Sequence, residues 1–394
     1  MATIRRELFP GEVLFTQGDP AGCAWLVERG EVILQVESAA GPQPPRIFGA
    51  GELIGELALL DGAPYRATAI ARDDAVLLAI DADQFGERID AADPIVRAMV
   101  DSLRGRMRAL QEALPAGTPL PLEDQPCDDP EERAGIAKIH FETQLREALD
   151  EGTLEVHYQP IWDLQAGRVG GYEALVRWKH DTLGQVSPAD FIRLAEETSL
   201  IVPLGESVLD RAIAVLRGLH ATHGDALPSI AVNLSARQLV QPGMARQVVA
   251  RIEQARLPKG ALKLEVTESR MLDYGPVAAV MRHCRAQGVP FALDDFGTGY
   301  SNLTHLHELE FEYLKVDQAF CRNMLGAPRA MAIVEAIVAM GHGIGAQIIM
   351  EGVETREQLD ELRRMRVRHA QGWLIGKAQP AEAVLSGEAA AVTV

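Results

Sequence analysis

The chain has 394 residues, 47% of them apolar and 24% charged, and a formal net charge of −18 from 38 basic and 56 acidic side chains. The length allows two or three globular domains, and the composition excludes long disordered stretches. The acidic balance excludes a general nucleic-acid binder, which needs a basic footprint, but not a small phosphate ligand held by local cations.

The longest apolar runs, such as 331–340, fall short of the about 18–20 residues of a membrane span. The start, Met1-Ala-Thr-Ile-Arg-Arg6, lacks the apolar core of a signal peptide. The expected location is the cytoplasm, with no membrane partner. Cys23, Cys127, Cys284 and Cys321 are scattered and form no C-x-x-C pair. Reduced thiols are expected, neither disulfides nor zinc ligands.

Residues 5–90 read as all-β. Glu12-Val-Leu-Phe15, Ala24-Trp-Leu-Val-Glu28 and Glu31-Val-Ile-Leu-Gln-Val36 are short apolar runs punctuated by Gly11, Gly18, Gly22 and Gly30. That rhythm predicts a β jelly-roll sandwich with flanking helices, in a domain over 1–115. At 94–114 the period changes. Val96, Met99, Leu103, Met107, Leu110 and Leu114 form one helical stripe, and Pro94 suits a first turn. The stripe fits a helix covering its own sandwich or the seam of a homodimer. Residues 116–130 are rich in proline and acid, without a period, and read as a linker.

From 131 to 394 helix and strand patterns alternate. Strands are predicted at 154–160, 170–177, 229–234, 262–266, 290–294, 313–316, 346–350 and 370–374, most of them separated by helical segments. Eight strands in about 260 residues have the size and rhythm of a TIM-like (β/α)8 barrel, in which chemistry gathers at strand ends. The first strand is expected to end at Gln159. The second carries Glu173 and Arg177, the third ends at Asn233 and the fourth at Glu265. The fifth ends in Asp294-Asp295, the sixth at Lys315 and Asp317, and the seventh at Glu351. The eighth begins beside Gln371. Each carboxylate alone has a bland explanation as a cap or a solvated charge. Together they place at least five carboxylates in one mouth, where like charges repel unless cations neutralise them. Oxygen donors of this kind suit hard ions such as Mg²⁺ or Mn²⁺. The adjacent pair Asp294 and Asp295 could serve two ions, the usual arrangement for phosphodiester hydrolysis.

Six motifs resemble, in order, those of the EAL phosphodiesterase family, over 131 to about 385. They are Glu173-Ala-Leu-Val-Arg-Trp178, Val232-Asn-Leu-Ser235, Leu264-Glu-Val-Thr-Glu-Ser269, Asp294-Asp-Phe-Gly-Thr-Gly-Tyr-Ser301, Leu314-Lys-Val-Asp317 and Met350-Glu-Gly-Val-Glu-Thr355. The resemblance implies metal-dependent hydrolysis of cyclic di-GMP to linear pGpG. By that resemblance Glu173, Asn233, Glu265 and Asp294 hold a first ion, and Asp294, Asp295 and Glu351 a second. Lys315 holds the attacking water, and Glu351 also resembles a base, so Lys315, Glu351 and Glu173 form the catalytic set. Gln159, Arg177 and Gln371 resemble substrate contacts. Glu268 and Asp317 resemble residues that hold the Asp-Asp loop, with Glu354 a further supporting acid. Inactive family members commonly lack one or more of these residues, which weighs against a non-catalytic cyclic di-GMP receptor. The ending Gln371-Gly-Trp-Leu-Ile-Gly-Lys-Ala378 departs from the family's more usual aromatic-rich ending with Arg-Pro or Lys-Pro.

Gly55-Glu-Leu-Ala-Leu-Leu-Asp-Gly-Ala-Pro-Tyr-Arg-Ala-Thr-Ala69 resembles the phosphate-binding cassette of cyclic-nucleotide-binding domains. Pro10-Gly-Glu12, Gln17-Gly-Asp19 and Gly30-Glu-Val32 fit the same family. Backbone N–H groups around Gly55, Glu56 and Leu57 would cradle the phosphate, and Arg66 would pair with it through its planar fork. Glu56 would accept the ribose 2′-hydroxyl. Ala67 favours cAMP over cGMP as the allosteric ligand. The alternative is a structural ion pair between Glu56 and Arg66.

Overall fold

A computed structural model describes residues 5–38, 41–42, 44–81, 100, 130–267, 274–297, 306 and 309–387. Two compact units emerge: 1–152 with 197–199, and 153–196 with 200–394. The helix expected at 94–114, apart from Val100, the linker at 116–129, Cys127 and Glu268 lie outside the described residues.

In the first unit the chain runs through β1 (Arg5–Leu8), β2 (Val13–Phe15), β3 (Cys23–Arg29), β4 (Val32–Gln35), β5 (Glu37–Ser38), β6 (Gly41–Pro42), β7 (Arg46–Phe48) and β8 (Leu53–Ile54). The short helix α1 (Glu56–Asp61), β9 (Thr68–Ala71), β10 (Ala75–Asp81) and the helix α2 (Pro130–Asp150) follow. One sheet has the order β1-β10-β3-β8, the other β2-β9-β4-β7. This is the sandwich expected from the sequence. Its core follows from strand alternation. Along β3, Trp25 and Val27 face the inner cluster with Leu14, Phe15, Val32, Ala69 and Leu77. Ala24 and Leu26 face the other way and join Leu78 and Ile80. The helix α2, which the sequence places at the head of the barrel domain, groups with this unit, and the division falls at Gly152.

The second unit is a closed barrel. Its strands are β11 (Glu155–Asp163), β12 (Arg168–His180), β14 (Ser229–Leu234), β15 (Leu262–Thr267), β16 (Phe291–Phe296), β17 (Tyr313–Val316), β18 (Gln347–Met350) and β19 (His369–Gln371), with β11 pairing β12 to close the ring. The short strands β13 (Gly184–Val186) and β20 (Gln379–Pro380) pair outside it. The described helices are α3 (Pro188–Glu197), α4 (Ile201–His223), α5 (Ala236–Leu239), α6 (Met244–Ala255), α7 (Tyr274–Ala286), α8 (Gln318–Asn323), α9 (Pro328–Gly343), α10 (Arg356–Arg364) and α11 (Ala381–Ser386). No helix among the described residues is long and apolar enough to cross a membrane.

Two strand expectations need correction. β11 does not end at Gln159 but runs on to Asp163, and it lies antiparallel to both β12 and β19. The cause is local: Asp163 Oδ1 accepts from the backbone N–H groups of Gln165 and Ala166, both at 2.9 Å, closing a tight hairpin into β12. So short a link permits only antiparallel pairing. Gln159 therefore stands mid-strand, opposite Glu173. The eighth strand ends at Gln371 rather than beginning there. There Gly372 crosses Val353, whose N–H donates to Gln371 O at 3.0 Å while its carbonyl accepts from Leu374 N at 3.1 Å.

A Cβ at Gly372 would overlap the backbone N, C and O of Val353. Backbone cannot yield as a side-chain tip can, so Gly372→Ala should cost about 1–3 kcal/mol of barrel stability. Chemical denaturation of the variant beside wild type tests this; an unchanged midpoint would contradict the crossing.

Candidate active site

Alternate residues of each barrel strand point into the lumen. Register stacks Gln159 beside Glu173, Asn233 beside Glu265 and Thr267 beside Asp294. Lys315, on β17, completes this layer. At Asp294-Asp295 the pairing of β16 with β17 becomes irregular, and Asp295 takes a left-handed φ of 54°. Such a conformation is uncommon outside glycine, and it lets consecutive side chains escape strict alternation.

The Lys315 ammonium is the centre of the site. It lies 2.8 Å from Glu265 Oε2, 2.9 Å from Asp294 Oδ1, 2.9 Å from Glu351 Oε1 and 3.4 Å from Glu173 Oε2. Glu173 is further held by Asn233 Nδ2, which donates to Oε1 at 2.9 Å, and by Gln371 Nε2, which donates to Oε2 at 2.7 Å. Asp294 Oδ1 also accepts from the N–H of Asp295 at 3.0 Å.

The ionisation of these groups follows from burial and charge. Lys315 is 1% exposed. Burial opposes its charge, but Asp294, Glu173, Glu265 and Glu351 hold its pKa well above the ordinary lysine value. Burial pushes Glu265 well up, helped by Glu173 and Asp294 and resisted by Lys315. Burial raises Glu351 to about 7. Burial and Asp294 raise Asp295. Glu173 goes the other way: burial works against its charge, but Lys315, Gln371 and Asn233 together lower its pKa.

Two carboxylate groups can each close around a cation. Glu173, Glu265 and Asp294 form one, Asp294, Asp295 and Glu351 the other, with ligand atoms within 4.8 Å of one another in each. They share Asp294. Glu265 Oε1 is buried without a hydrogen-bond partner, an open donor at the heart of the first group. The donors are oxygens throughout, so the residues present fit hard divalent ions.

The remaining sequence candidates sit around this layer. Gln159 Nε2 donates to Gly376 O at 3.3 Å. Arg177 is half-buried on the Glu173 face of β12, and its Nη1 donates to its neighbour's carbonyl, Val176 O, at 2.9 Å. Gln371 Oε1 is buried without a partner. Asp317 caps α8, accepting from Ala319 N at 2.8 Å. Glu354 is exposed, 3.6 Å from Arg322.

In the first unit, Gly55 precedes α1 with a left-handed φ of 79°. A Cβ there would stand 2.8 Å from the ring of Tyr65. Tyr65 escapes sequence reasoning, its only signal being an aromatic beside Arg66. Its hydroxyl donates to Cys23 O at 2.6 Å, and its ring stacks on Phe15 with centroids 3.8 Å apart. It thereby fixes the turn on which Gly55, Glu56 and Leu57 sit. Burial raises the pKa of Glu56, with Arg46 opposing. Arg66 is half-buried and Ala67 buried.

Removing Lys315 would leave its carboxylates crowded and uncompensated. Lys315→Met should cost about 3–5 kcal/mol in the absence of divalent ions. The deficit should shrink as pH falls from 8 to 5, because protonating carboxylates whose pKa values are raised removes the repulsion. Urea melts of both proteins across that range, in chelator, measure it; a pH-independent gap would show that Lys315 does not neutralise the cage.

Comparison with known proteins agrees with this geometry. The EAL domain model matches residues 142–378, and the cyclic nucleotide-binding domain model matches residues 5–91. Cyclic di-GMP phosphodiesterase NbdA of Pseudomonas aeruginosa is 39% identical over 248 residues, covering 63% of this chain and 32% of that protein. Cyclic di-GMP phosphodiesterase PA2567 of the same organism is 36% identical over 293 residues, covering 73% and 48%. The chain spans about a third to a half of the length of such curated relatives. The solved structure of the EAL enzyme Bd1971 in a cAMP-bound form aligns with a TM-score of 0.63 at 28% identity, covering 97% of this chain and 99% of that one.

Proposed function

The chain belongs to the EAL-domain family, and from that membership we propose that it hydrolyses cyclic di-GMP to linear pGpG with two Mg²⁺ or Mn²⁺ ions, under control of a cyclic mononucleotide bound by its N-terminal unit. The observation that carries this is the pair of carboxylate groups sharing Asp294 around Lys315. Relatives at 36–39% identity bear the name cyclic di-GMP phosphodiesterase.

The ions, when bound, supply positive charge for the phosphate and acidify water. Glu173, Asn233, Glu265 and Asp294 would hold one, and Asp294, Asp295 and Glu351 the other. Lys315 would orient the attacking water, and Glu351, beside its place as a ligand, is the residue that by the family resemblance could take that water's proton. Attack on one phosphorus breaks its bond to the 3′-oxygen, which leaves with a proton as a hydroxyl, and the product keeps a 5′-phosphate. Arg177, Gln159 and Gln371 would bind and orient the dinucleotide. Glu268, Asp317 and Glu354 would hold the loop that carries Asp294 and Asp295. A receptor that only binds cyclic di-GMP would have no use for this full complement of acids and lysine.

The N-terminal effector is cAMP in this proposal, held at Gly55, Glu56, Leu57, Arg66 and Ala67. Bd1971 is solved in cAMP-bound and in cGMP-bound forms, so both nucleotides belong in the assay. The protein would act as a cytoplasmic homodimer.

Purified protein should convert cyclic di-GMP to pGpG with Mg²⁺ or Mn²⁺ and stop in strong chelator. Glu173→Ala should lower kcat by about 10³-fold or more, on the scale of losing a principal electrostatic group. Chromatography of the products decides both points, and near-full turnover in that variant would misplace the site.

Ionised Glu351 is needed to hold a cation, while its folded pKa is raised to about 7. Cation binding below that pH must therefore release a proton from Glu351, in addition to any held by Glu265 and Asp295, whose pKa values are also raised, and affinity should rise with pH up to at least about 7. Calorimetry in buffers of different ionisation enthalpy measures the proton. Glu351→Gln should reduce the number of protons released, leaving only the share of Glu265 and Asp295; release of the same size in that variant would assign the proton elsewhere.

A further inference from the structure

The outward face of the sheet β1-β10-β3-β8 carries an apolar cluster of Ala24, Leu26, Leu78 and Ile80. Leu53, Leu59 and Ile139 pack against it. Leu59 belongs to α1, the helix that opens the nucleotide cassette, three residues beyond Glu56. Ile139 belongs to α2, the last helix before β11 enters the barrel. The cassette helix and the helix that feeds the barrel thus each seat a side chain on the same small apolar cluster.

Beside this contact, Glu28 on β3 grips two other elements. Arg5 Nε donates to Glu28 Oε2 at 2.7 Å and Arg5 Nη2 to Oε1 at 2.9 Å. His140 Nδ1, one residue after Ile139, lies 3.7 Å from Glu28 Oε1. Arg5 also reaches Glu147, two turns further along α2, at 3.9 Å. The Glu28 side chain is 14% exposed, against 47% for Arg5. Its pKa is drawn down to about 2 by the neighbouring His140 and then by Arg5, against the opposing pull of burial. Glu28 is thus the polar clasp that seats α2 on the sandwich.

We propose that this seam, Leu59 and Ile139 over the β3 face with Glu28 as its clasp, transmits the state of the nucleotide cassette to α2 and so to the chain entering the barrel. The proposal rests on the sensor function given above. Packed apolar contacts answer displacement by re-seating rather than by stretching, because interiors are close-packed. A shift of α1 on ligand binding therefore disturbs the cluster on which Ile139 is also seated. The direct covalent run from α2 into β11 needs no other intermediary, such as the segment at 94–114. The size of the response is bounded by the difference in nucleotide affinity between the two seats of α2, about 5–150-fold for typical couplings.

The test uses the full chain as wild type, Ile139→Ala, Glu28→Gln and Arg66→Ala. Calorimetry measures cAMP and cGMP binding, and cyclic di-GMP hydrolysis is assayed with and without saturating nucleotide. Amide exchange over 137–150 reports on α2 directly, and thermal melts confirm folding. In wild type, nucleotide should alter both α2 exchange and hydrolysis. Ile139→Ala and Glu28→Gln should still bind nucleotide, but its effect on hydrolysis should fall to less than about twofold, below the range of typical couplings. Arg66→Ala should lose binding and response together. Nucleotide binding with a wild-type response in both seam variants would overturn the seam alone, as would binding with unchanged α2 exchange in wild type. Failure of wild type to bind either nucleotide would overturn the sensor function, and the seam with it.

Discussion

The Lys315 ammonium faces Glu265, Asp294 and Glu351 at 2.8–2.9 Å and Glu173 at 3.4 Å, inside a lumen where it is itself 1% exposed. One positive charge cannot balance four carboxylates, and water cannot screen them there. Burying charge is costly unless it is paired and hydrogen-bonded. The neighbouring amides answer that requirement in part, since Asn233 and Gln371 both donate to Glu173. The residual negative charge makes the layer a receptor for cations, and Glu265 Oε1, buried and unpartnered, marks one place where the protein's own donors run out.

The barrel makes this crowding possible. A closed sheet sends every second side chain inward, so strands far apart in sequence deliver one residue each to the same layer. The antiparallel first strand adds Gln159 directly opposite Glu173. The irregular register at Asp294-Asp295 admits a second carboxylate from a single strand, which lets one aspartate belong to both groups of ligands.

The N-terminal unit uses the two faces of β3 differently. Trp25 and Val27 build the sandwich core, while Ala24 and Leu26 belong to the outer cluster against which Leu59 of α1 and Ile139 of α2 pack. The inner cluster holds Phe15 and Tyr65, whose stacked rings brace the turn at Gly55. The sandwich core and the proposed relay thereby fall on opposite sides of one strand, so the outer packing could change without unpacking the inner one.

Much of this was legible in the amino-acid order. The strand runs at 229–234 and 313–316 coincide with β14 and β17, because apolar β-branched runs between turns leave little choice of local structure. The polar residues closing those runs were identifiable as a set because a barrel gathers strand ends. What the order could not show depends on contacts between distant segments. The direction of β11 is the exception, decided by a local turn that the Asp163 side chain closes on Gln165 and Ala166. The end of the eighth strand is decided by Gly372 passing against Val353. The roles of Tyr65 and Glu28 appear only when Gly55 and His140 are brought beside them in space. Local periodicity and motif chemistry thus determined which elements form and which residues make up the candidate site. Tertiary packing alone decided the end of the eighth strand, the shared position of Asp294 and the seat of α2, because each is set by groups that meet only in the folded chain.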